Sequence, residues 1–151
     1  MKNILAAAML LSAVSASALT FSKATPYTGT PATPTMARIA SPAVSPDGKH
    51  IVYFDSVKGV IVANADGSGA KSIAKEGIFP AWATNSVIVY VVSHDDGYQT
   101  TAASLMAHDI QDGFTITATD NDLIVDAVCS AGDGNVVFTT TDGKAFSITV
   151  K

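Results

Sequence analysis

Short apolar runs separated by polar turn signals dominate the chain from residue 41 onward. The runs, some continuous and some alternating with polar residues, are Ile51–Phe54, Val60–Ala63, Val87–Val92, Val136–Thr141 and Lys144–Val150. They are rich in β-branched residues, and turn signals such as Pro46-Asp47-Gly48 and Asp142-Gly143 bound them. Runs of this kind are typical of antiparallel strands joined by hairpins. The pattern therefore predicts an all-β protein, with Gly48 and Gly143 at turn positions of positive φ.

The predicted strands recur in three units. Ala43, Ala81 and Ala127 mark equivalent inner strands and are 38 and 46 residues apart. We expect four strands in each of the first two units and three in the last, so Met36–Ala40 is the candidate for the missing outer strand. Leu105–His108 contains good helix formers, but its position in the repeat favours a strand.

The first unit carries two motifs at a set spacing. Ser45-Pro46-Asp47-Gly48-Lys49 precedes one apolar run, and Asn64-Ala65-Asp66-Gly67-Ser68-Gly69 follows the next. Together they resemble one blade of the TolB-type, WD-like β-propeller family, whose blades recur about every 40–45 residues. The resemblance covers one blade closely and the rest of the chain loosely. It implies three four-stranded antiparallel blades, a partial β-propeller over residues 36–151, and almost nothing about activity, because propellers host many functions.

Three blades are too few to close a ring, since closed propellers have roughly 4–8. We expect two copies to form a six-bladed homodimer, in which Met36–Ala40 of one copy pairs beside Lys144–Val150 of the other. In a lone chain, Trp82, Val89 and Val128 would then help form exposed apolar patches on the inter-blade faces. The alternatives are an open or truncated three-blade monomer and a small twisted β-sandwich.

The N-terminal segment has the pattern of a secretory signal peptide. Lys2 is followed by the apolar run Ile4–Leu11 and then by the small residues Ala16-Ser17-Ala18. We expect residues 1–18 to be removed and the mature protein to be periplasmic or secreted, with an uncleaved membrane anchor as the alternative. Residues 19–35 are rich in proline and threonine, which predicts a linker without packed structure. No later apolar stretch is long enough to span a bilayer.

The composition narrows the choice of partners. The net charge is −4 and the pI is near 5.0, whereas a nucleic-acid-binding surface is expected to be basic. We therefore expect no nucleic-acid partner. Cys129 is the single cysteine, which excludes an intramolecular disulfide and favours a buried small hydrophobe over a reactive thiol.

The densest group of chemistry-bearing residues is His94-Asp95-Asp96 with Tyr98. Carboxylates and an imidazole at this spacing offer ligands to a divalent cation, but a solvated turn is the simpler interpretation. Trp82 is expected in the core between blades, with stacking on a sugar ring as the alternative. His50 and His108 border apolar strands and are interpreted as structural.

No catalytic motif accompanies these residues. The sequence contains no nucleophile elbow, phosphate-binding glycine loop or metalloprotease signature, and we predict no cofactor and no metal ion. We expect a non-enzymatic module that binds a protein or peptide partner; the alternative is a glycan-binding protein or a metal-assisted enzyme that uses a propeller face. The candidate ligand-binding residues are His94, Asp95, Tyr98 and Trp82.

Overall fold

The structure, a computed structural model, describes residues 19–30, 41–119 and 123–151. Within these residues the chain is all-β, as the apolar runs and turn signals predict. The strands in chain order are β1 (Thr25–Pro26), β2 (Ala43–Val44), β3 (His50–Asp55), β4 (Gly59–Asn64), β5 (Lys71–Ala74), β6 (Gly77–Trp82), β7 (Val87–Asp95), β8 (Thr100–Asp109), β9 (Thr115–Thr117), β10 (Val125–Ser130), β11 (Asn135–Thr140) and β12 (Ala145–Thr149). Residues 105–108 lie in β8, which confirms the strand interpretation of that segment.

The strands form three antiparallel sheets of four strands each. The first sheet has the order β2-β3-β4-β5, the second β6-β7-β8-β9 and the third β1-β12-β11-β10. Within the first sheet, β3 and β4 pair without interruption from His50 opposite Asn64 to Asp55 opposite Gly59. Three four-stranded units, as the repeat predicts, are therefore confirmed.

The second sheet is packed between the other two, because its strand β7 buries both faces. Val89 and Val91 pack with Phe138 of the third sheet. Ile88 and Tyr90, which alternate with them, point to the other face and pack against the first sheet. All five side chains are at most 2% exposed. Burial on both faces explains why this run of the sequence is continuously apolar instead of alternating.

One edge strand of each sheet converges on a common centre. Strand β6 of the second sheet contacts both β2 of the first sheet and β10 of the third. The expectation of exposed apolar patches at Trp82, Val89 and Val128 is wrong. These residues are only 4%, 0% and 3% exposed. They are buried inside the single chain and do not form exposed patches.

The fourth strand of the third sheet comes from the segment that the sequence analysis interprets as an unpacked linker. Strand β1 pairs with β12, with Thr25 opposite Ser147. Leu19 is 8% exposed and belongs to the core between the second and third sheets. The expectation of a segment without packed structure is therefore wrong for residues 19–27, whereas residues 28–30 are exposed and lie in no strand.

This pairing conflicts with the predicted strand exchange between two copies. Strand β12 has β11 on one side and β1 of the same chain on the other, so the position assigned to Met36–Ala40 of a second copy is already occupied. Met36–Ala40 itself lies outside the described residues, as do residues 1–18 with the predicted signal peptide.

Aspartates organise most of the turns. In eight places a carboxylate oxygen accepts the backbone N–H two residues further on, the arrangement of an Asx turn. The eight residues are Asp47, Asp55, Asp66, Asp95, Asp96, Asp109, Asp112 and Asp133. Glycines complete several of these turns, and the predicted positive φ of Gly48 and Gly143 is confirmed, at 75° and 85°.

Gly59, at the start of β4, is poorly able to accept a side chain. Its φ is 79°, and an added Cβ would lie 2.0 Å from the carbonyl oxygen of Ala74 and 2.4 Å from that of Lys75. Gly48 has a similar φ of 75°, but an added Cβ would meet no atom within 4 Å. A side chain at Gly48 would therefore meet only the strain of a positive φ, whereas a side chain at Gly59 would also clash with the backbone.

We expect Gly48→Ala to lower the free energy of unfolding by about 1–2 kcal/mol, the strain of a positive φ alone. Gly59→Ala is expected to cost about 4 kcal/mol or more, because the backbone of the first sheet must also move. Urea unfolding of both variants measures the difference, and equal losses would contradict the packing of β4 against the end of β5.

Candidate functional site

His94, Asp95 and Tyr98 lie together at the tip of a hairpin that extends beyond its sheet. Strands β7 and β8 have 9 and 10 residues, whereas β3 and β4 of the first sheet have 6 each. The extra length places the tip in solvent, where Tyr98 is 97% exposed. These predicted binding residues therefore lie on a protruding, accessible surface and do not line a pocket.

The two acidic residues of this tip are bonded to the backbone of the turn itself. Oδ1 of Asp95 accepts the backbone N–H of Gly97 at 2.9 Å. Oδ1 of Asp96 accepts those of Tyr98 at 2.9 Å and Gln99 at 3.0 Å. The Gln99 and Tyr98 amides hold the pKa of Asp96 below its ordinary value. These contacts fit the interpretation of a solvated turn, and among the described residues no three His, Cys, Asp or Glu side chains come together to hold a metal ion.

Trp82 lies apart from the hairpin tip. It pairs with Ile88 near the start of β7, so about 20 Å of strand separates it from His94 at the other end. Its indole Nε1 donates a hydrogen bond of 2.8 Å to the carbonyl oxygen of Ala43. This bond ties the second sheet to the first and confirms the core interpretation of Trp82; its burial leaves no broad face for a sugar ring.

A cleft of about 180 Å³ lies where the inner strands of the three sheets converge. We call it the axial cleft, and its walls are Ala43, Val44 and Pro46 from the first sheet, residues 79–82 from the second and residues 128–132 from the third. None of these side chains carries a charge. A group held in the axial cleft would therefore be uncharged and largely apolar.

The backbone of β6 is strained where it lines the axial cleft. Phe79 has φ 55°, a left-handed conformation that non-glycine residues seldom adopt. The pairing of β6 with β7 shifts register between Ile78 and Ala81, on either side of this residue. Backbone strain costs of order 1–3 kcal/mol and clusters at functional sites, which makes the axial cleft the stronger candidate for binding.

A second cavity, of about 170 Å³, lies between the first and second sheets. We call it the inter-sheet cavity. Its lining consists of His50, Val62, Ala63, Asn64, Gly69, Lys71, His108 and Ile110. His108 is 7% exposed, and its Nδ1 lies 2.8 Å from Oγ1 of Thr115. Burial, and then the charge of Lys71, lower the pKa of His108.

Among the residues that line these two sites, only Trp82 is predicted from the sequence to bind a ligand. The repeat itself could have located the axial cleft. Pro80-Ala81 of the second unit is equivalent to Pro42-Ala43 of the first. Equivalent inner strands meet at the centre of a radial arrangement, so those positions point toward the cleft. For the inter-sheet cavity there was no comparable signal, since His50 and His108 belong to different units with no shared motif.

Comparison with known protein families and with curated protein sequences gives no match for this chain. Over the residues that the structure describes, no helix is long and apolar enough to cross a membrane. The TolB-type resemblance therefore depends on the quoted motifs and remains a prediction.

Six turn carboxylates are stabilised in their charged form by hydrogen bonds. The Ser45 hydroxyl, followed by the backbone amide of Lys49, lowers the pKa of Asp47 below the ordinary 3.8. Hydrogen bonds within their own turns lower the pKa values of five further aspartates in the same way: Asp55, Asp66, Asp96, Asp133 and Asp142. A carboxylate whose pKa is lower in the folded state stabilises the fold above its unfolded pKa, and this stabilisation is lost as the pH falls through the folded value.

We expect the melting temperature to be nearly constant from neutral pH down to about 5 and to fall progressively below about 3.8. Asp47→Asn keeps an oxygen that accepts the turn hydrogen bonds but does not titrate, so this variant should lose less stability in acid. Asp126→Asn, which removes an exposed carboxylate in β10, is the matched control and should follow the parent protein. Circular dichroism melts at a series of pH values test this, and a melting temperature that is unaffected in acid would contradict it.

Proposed function

We propose that the protein is an exported, non-enzymatic binding module, a partial β-propeller of the TolB-like type, and that its axial cleft holds an apolar segment of a protein or peptide partner. The observation that carries the proposal is the convergence of three inner strands on an uncharged cleft. An uncharged wall disfavours nucleotides, phosphorylated metabolites and other charged ligands, because burial of their charge would find no compensation there.

The size of the axial cleft favours part of a partner over a whole small molecule. Pockets for drug-sized ligands typically have about 300–1,000 Å³, whereas the axial cleft has about 180 Å³. Such a volume suits one or two anchoring side chains of a larger partner, and anchors of this kind carry much of the energy of protein interfaces.

The walls also offer backbone groups to an extended peptide. Strands β2, β6 and β10 each form the edge of a sheet, and an edge strand presents N–H and C=O groups that a peptide can pair with. The exposed hairpin tip, with His94, Asp95 and Tyr98, supplies a further contact surface in this proposal, since tyrosine is enriched at protein interfaces.

The glycan-binding or metal-assisted alternative has less support. The indole of Trp82 is 4% exposed, so it does not present an apolar face to a sugar. The carboxylates of Asp95 and Asp96 are engaged with the turn backbone, each through one oxygen. A protein or peptide partner therefore remains the proposed ligand.

Two exposed valines allow a matched test of the axial cleft. Val44 lines the cleft and is 59% exposed, and Val57 lies in the turn between β3 and β4 and is 75% exposed. We expect random peptides selected on phage against the parent protein to share an apolar anchor residue. Val44→Asp should weaken their binding by about tenfold or more, which corresponds to about 1.4 kcal/mol, whereas Val57→Asp should leave it unchanged.

Fluorescence anisotropy of labelled peptides gives the dissociation constants for the three proteins. Selected peptides without a common apolar residue, or peptides that bind Val44→Asp as tightly as the parent, would refute the assignment of the cleft. Melting curves of both variants confirm that each is folded.

We further propose that two copies complete a six-bladed ring through the outer faces of the first and third sheets. Side chains that alternate with the inward-facing Val52 and Phe138, such as Tyr53 and Val137, point to those faces. Contact through these faces leaves the strand order of both end sheets unchanged, with β12 paired between β11 and β1 of its own chain.

Light scattering should give about twice the mass of one processed chain, since propellers close in this size range. Val137→Lys should return the protein to the monomer by placing a charge on the joining face, and Val57→Lys serves as the control. A parent protein that remains monomeric at micromolar concentration would reject the ring.

A further inference from the structure

The outer edges of the three sheets differ in how well they are protected against pairing with another chain. These edges are β5, β9 and β1. Strand β1 contains Pro26, which has no N–H to donate. Strand β5 begins with Lys71, and its pairing with β4 shifts register between Val60 and Ile61. Prolines, lysines and bulges block edge pairing, and β9 has none of the three. Among the described residues, β9 is therefore the unprotected outer edge.

The hydrogen bonds between β8 and β9 show which backbone groups of β9 point inward. Asp109 donates its backbone N–H to the carbonyl oxygen of Phe114 at 2.9 Å. The backbone N–H of Ala118 donates to the carbonyl oxygen of Leu105 at 2.7 Å. Phe114 and Ala118 therefore direct their backbone groups toward β8. Ile116, midway between them, does the same, because strand residues two apart in sequence point the same way.

The residues that alternate with these direct their backbone groups outward. They are Thr115 and Thr117, and both are exposed. Each presents one N–H donor and one C=O acceptor at the open side of β9. An extended chain that adds to a sheet edge pairs with such groups.

The side chains beside this edge favour a strand of alternating character. Phe114 is 47% exposed and lies on the same face as Ile116, whereas Thr115 and Thr117 lie on the opposite face. The hydroxyl Oγ1 of Thr115 is 2.8 Å from Nδ1 of His108. Apolar pairs and pairs of threonine or serine stabilise neighbouring strands. A matching segment therefore alternates apolar residues with threonine or serine.

The charges around β9 favour a basic partner. No residue of β9 is charged, and the turn that leads into it contains Asp109 and Asp112. Oδ1 of Asp112 accepts the backbone N–H of Phe114 at 3.0 Å. A second copy of this chain would bring the same acidic turn and the same net charge of −4, and repulsion between like charges disfavours that pairing. A segment with lysine or arginine next to its paired residues is complementary.

We propose that β9 is a docking edge, to which an extended segment of a partner protein adds as a further strand through the N–H and C=O groups of Thr115 and Thr117. The segment is uncharged and alternating where it pairs, and it carries a basic residue that reaches Asp112. Strand β9 lies at the opposite edge of the second sheet from β6. The docking edge is therefore separate from the axial cleft, and its proposal does not depend on that of the cleft.

A short synthetic peptide tests the docking edge directly. The probe is acetyl-Lys-Thr-Val-Thr-Val-Thr-Lys-amide, and the matched control carries glutamate in place of both lysines. Backbone amide NMR signals of the full chain are followed as each peptide is added. Saturable shifts at Thr115 and Thr117, without shifts at Val128 in the axial cleft, are the expected result. The glutamate peptide should bind about two- to fivefold more weakly or worse, since its charges meet Asp112.

Methylation of single peptide amides distinguishes strand addition from other contacts. Alternate residues of a strand present their N–H groups at opposite edges. A methyl group on the amide of the central threonine, which is matched to the threonines of β9, should raise the dissociation constant about tenfold or more. A methyl group on the amide of the preceding valine should leave it unchanged.

Two changes in the chain complement the peptide series. Thr117→Pro removes an outward N–H that the pairing with β8 does not use, and it should weaken binding about tenfold or more. Asp112→Asn keeps the oxygen that closes the turn but removes the charge, so it should weaken binding of the lysine peptide about two- to fivefold. Asp126→Asn, in β10, is the matched control and should not change binding. Melting curves show whether each variant is folded, and the methylated peptides test the unaltered protein in any case.

Three results would overturn the proposal. The first is the absence of saturable shifts at Thr115 and Thr117 with the lysine peptide. The second is an equal effect of the two methylations, which would exclude pairing through one peptide edge. The third is a shift of the same two amides with protein concentration in the absence of peptide, which would make a second copy the occupant of β9.

Discussion

The burial of strand β7 on both faces is the constraint on which the rest of the structure depends. Its alternate side chains enter two different cores, with Val89 and Val91 facing the third sheet and Ile88 and Tyr90 facing the first. A shift of one residue in its pairing would exchange the two sets and place each side chain in the wrong core. The unbroken register from Val87 to His94 with β8 fixes that alternation, so the positions of all three sheets follow from one strand.

Both candidate sites are consequences of this packing. Because the first and third sheets lie on opposite faces of the second, their inner edges approach β6 from two sides and enclose the axial cleft. The inner strands contribute mainly small or apolar residues there, and the cleft carries no charge. The inter-sheet cavity forms where His50 of β3 and His108 of β8 meet Lys71 of β5, at the ends of strands where the side chains become polar. The same arrangement thus produces one apolar and one polar site.

The parts of the fold that depend on neighbouring residues were predictable from the sequence, and the parts that depend on distant packing were not. Pro46-Asp47-Gly48 contains its own turn hydrogen bonds, to Ser45 and to the Lys49 amide, so it located β3 correctly. Strand β1 has only two residues in a proline- and threonine-rich segment, and Thr25 meets a partner 122 residues away. No local pattern marks such a pairing. The inter-sheet cavity was missed for the same reason, because its two histidines become neighbours only after the sheets stack.

The closure of the third sheet by β1 would make the proposed ligand binding independent of the proposed assembly. All the walls of the axial cleft come from one chain, and they are in place when the three sheets have packed. A second copy would cover the outer faces of the end sheets, which lie away from the cores that β7 organises, and would add no strand to β12. Assembly would therefore extend the proposed binding surface, whose walls one chain already forms. Under these proposals, a change on an outer face would alter the state of association first, whereas a change on an inner strand would alter binding directly.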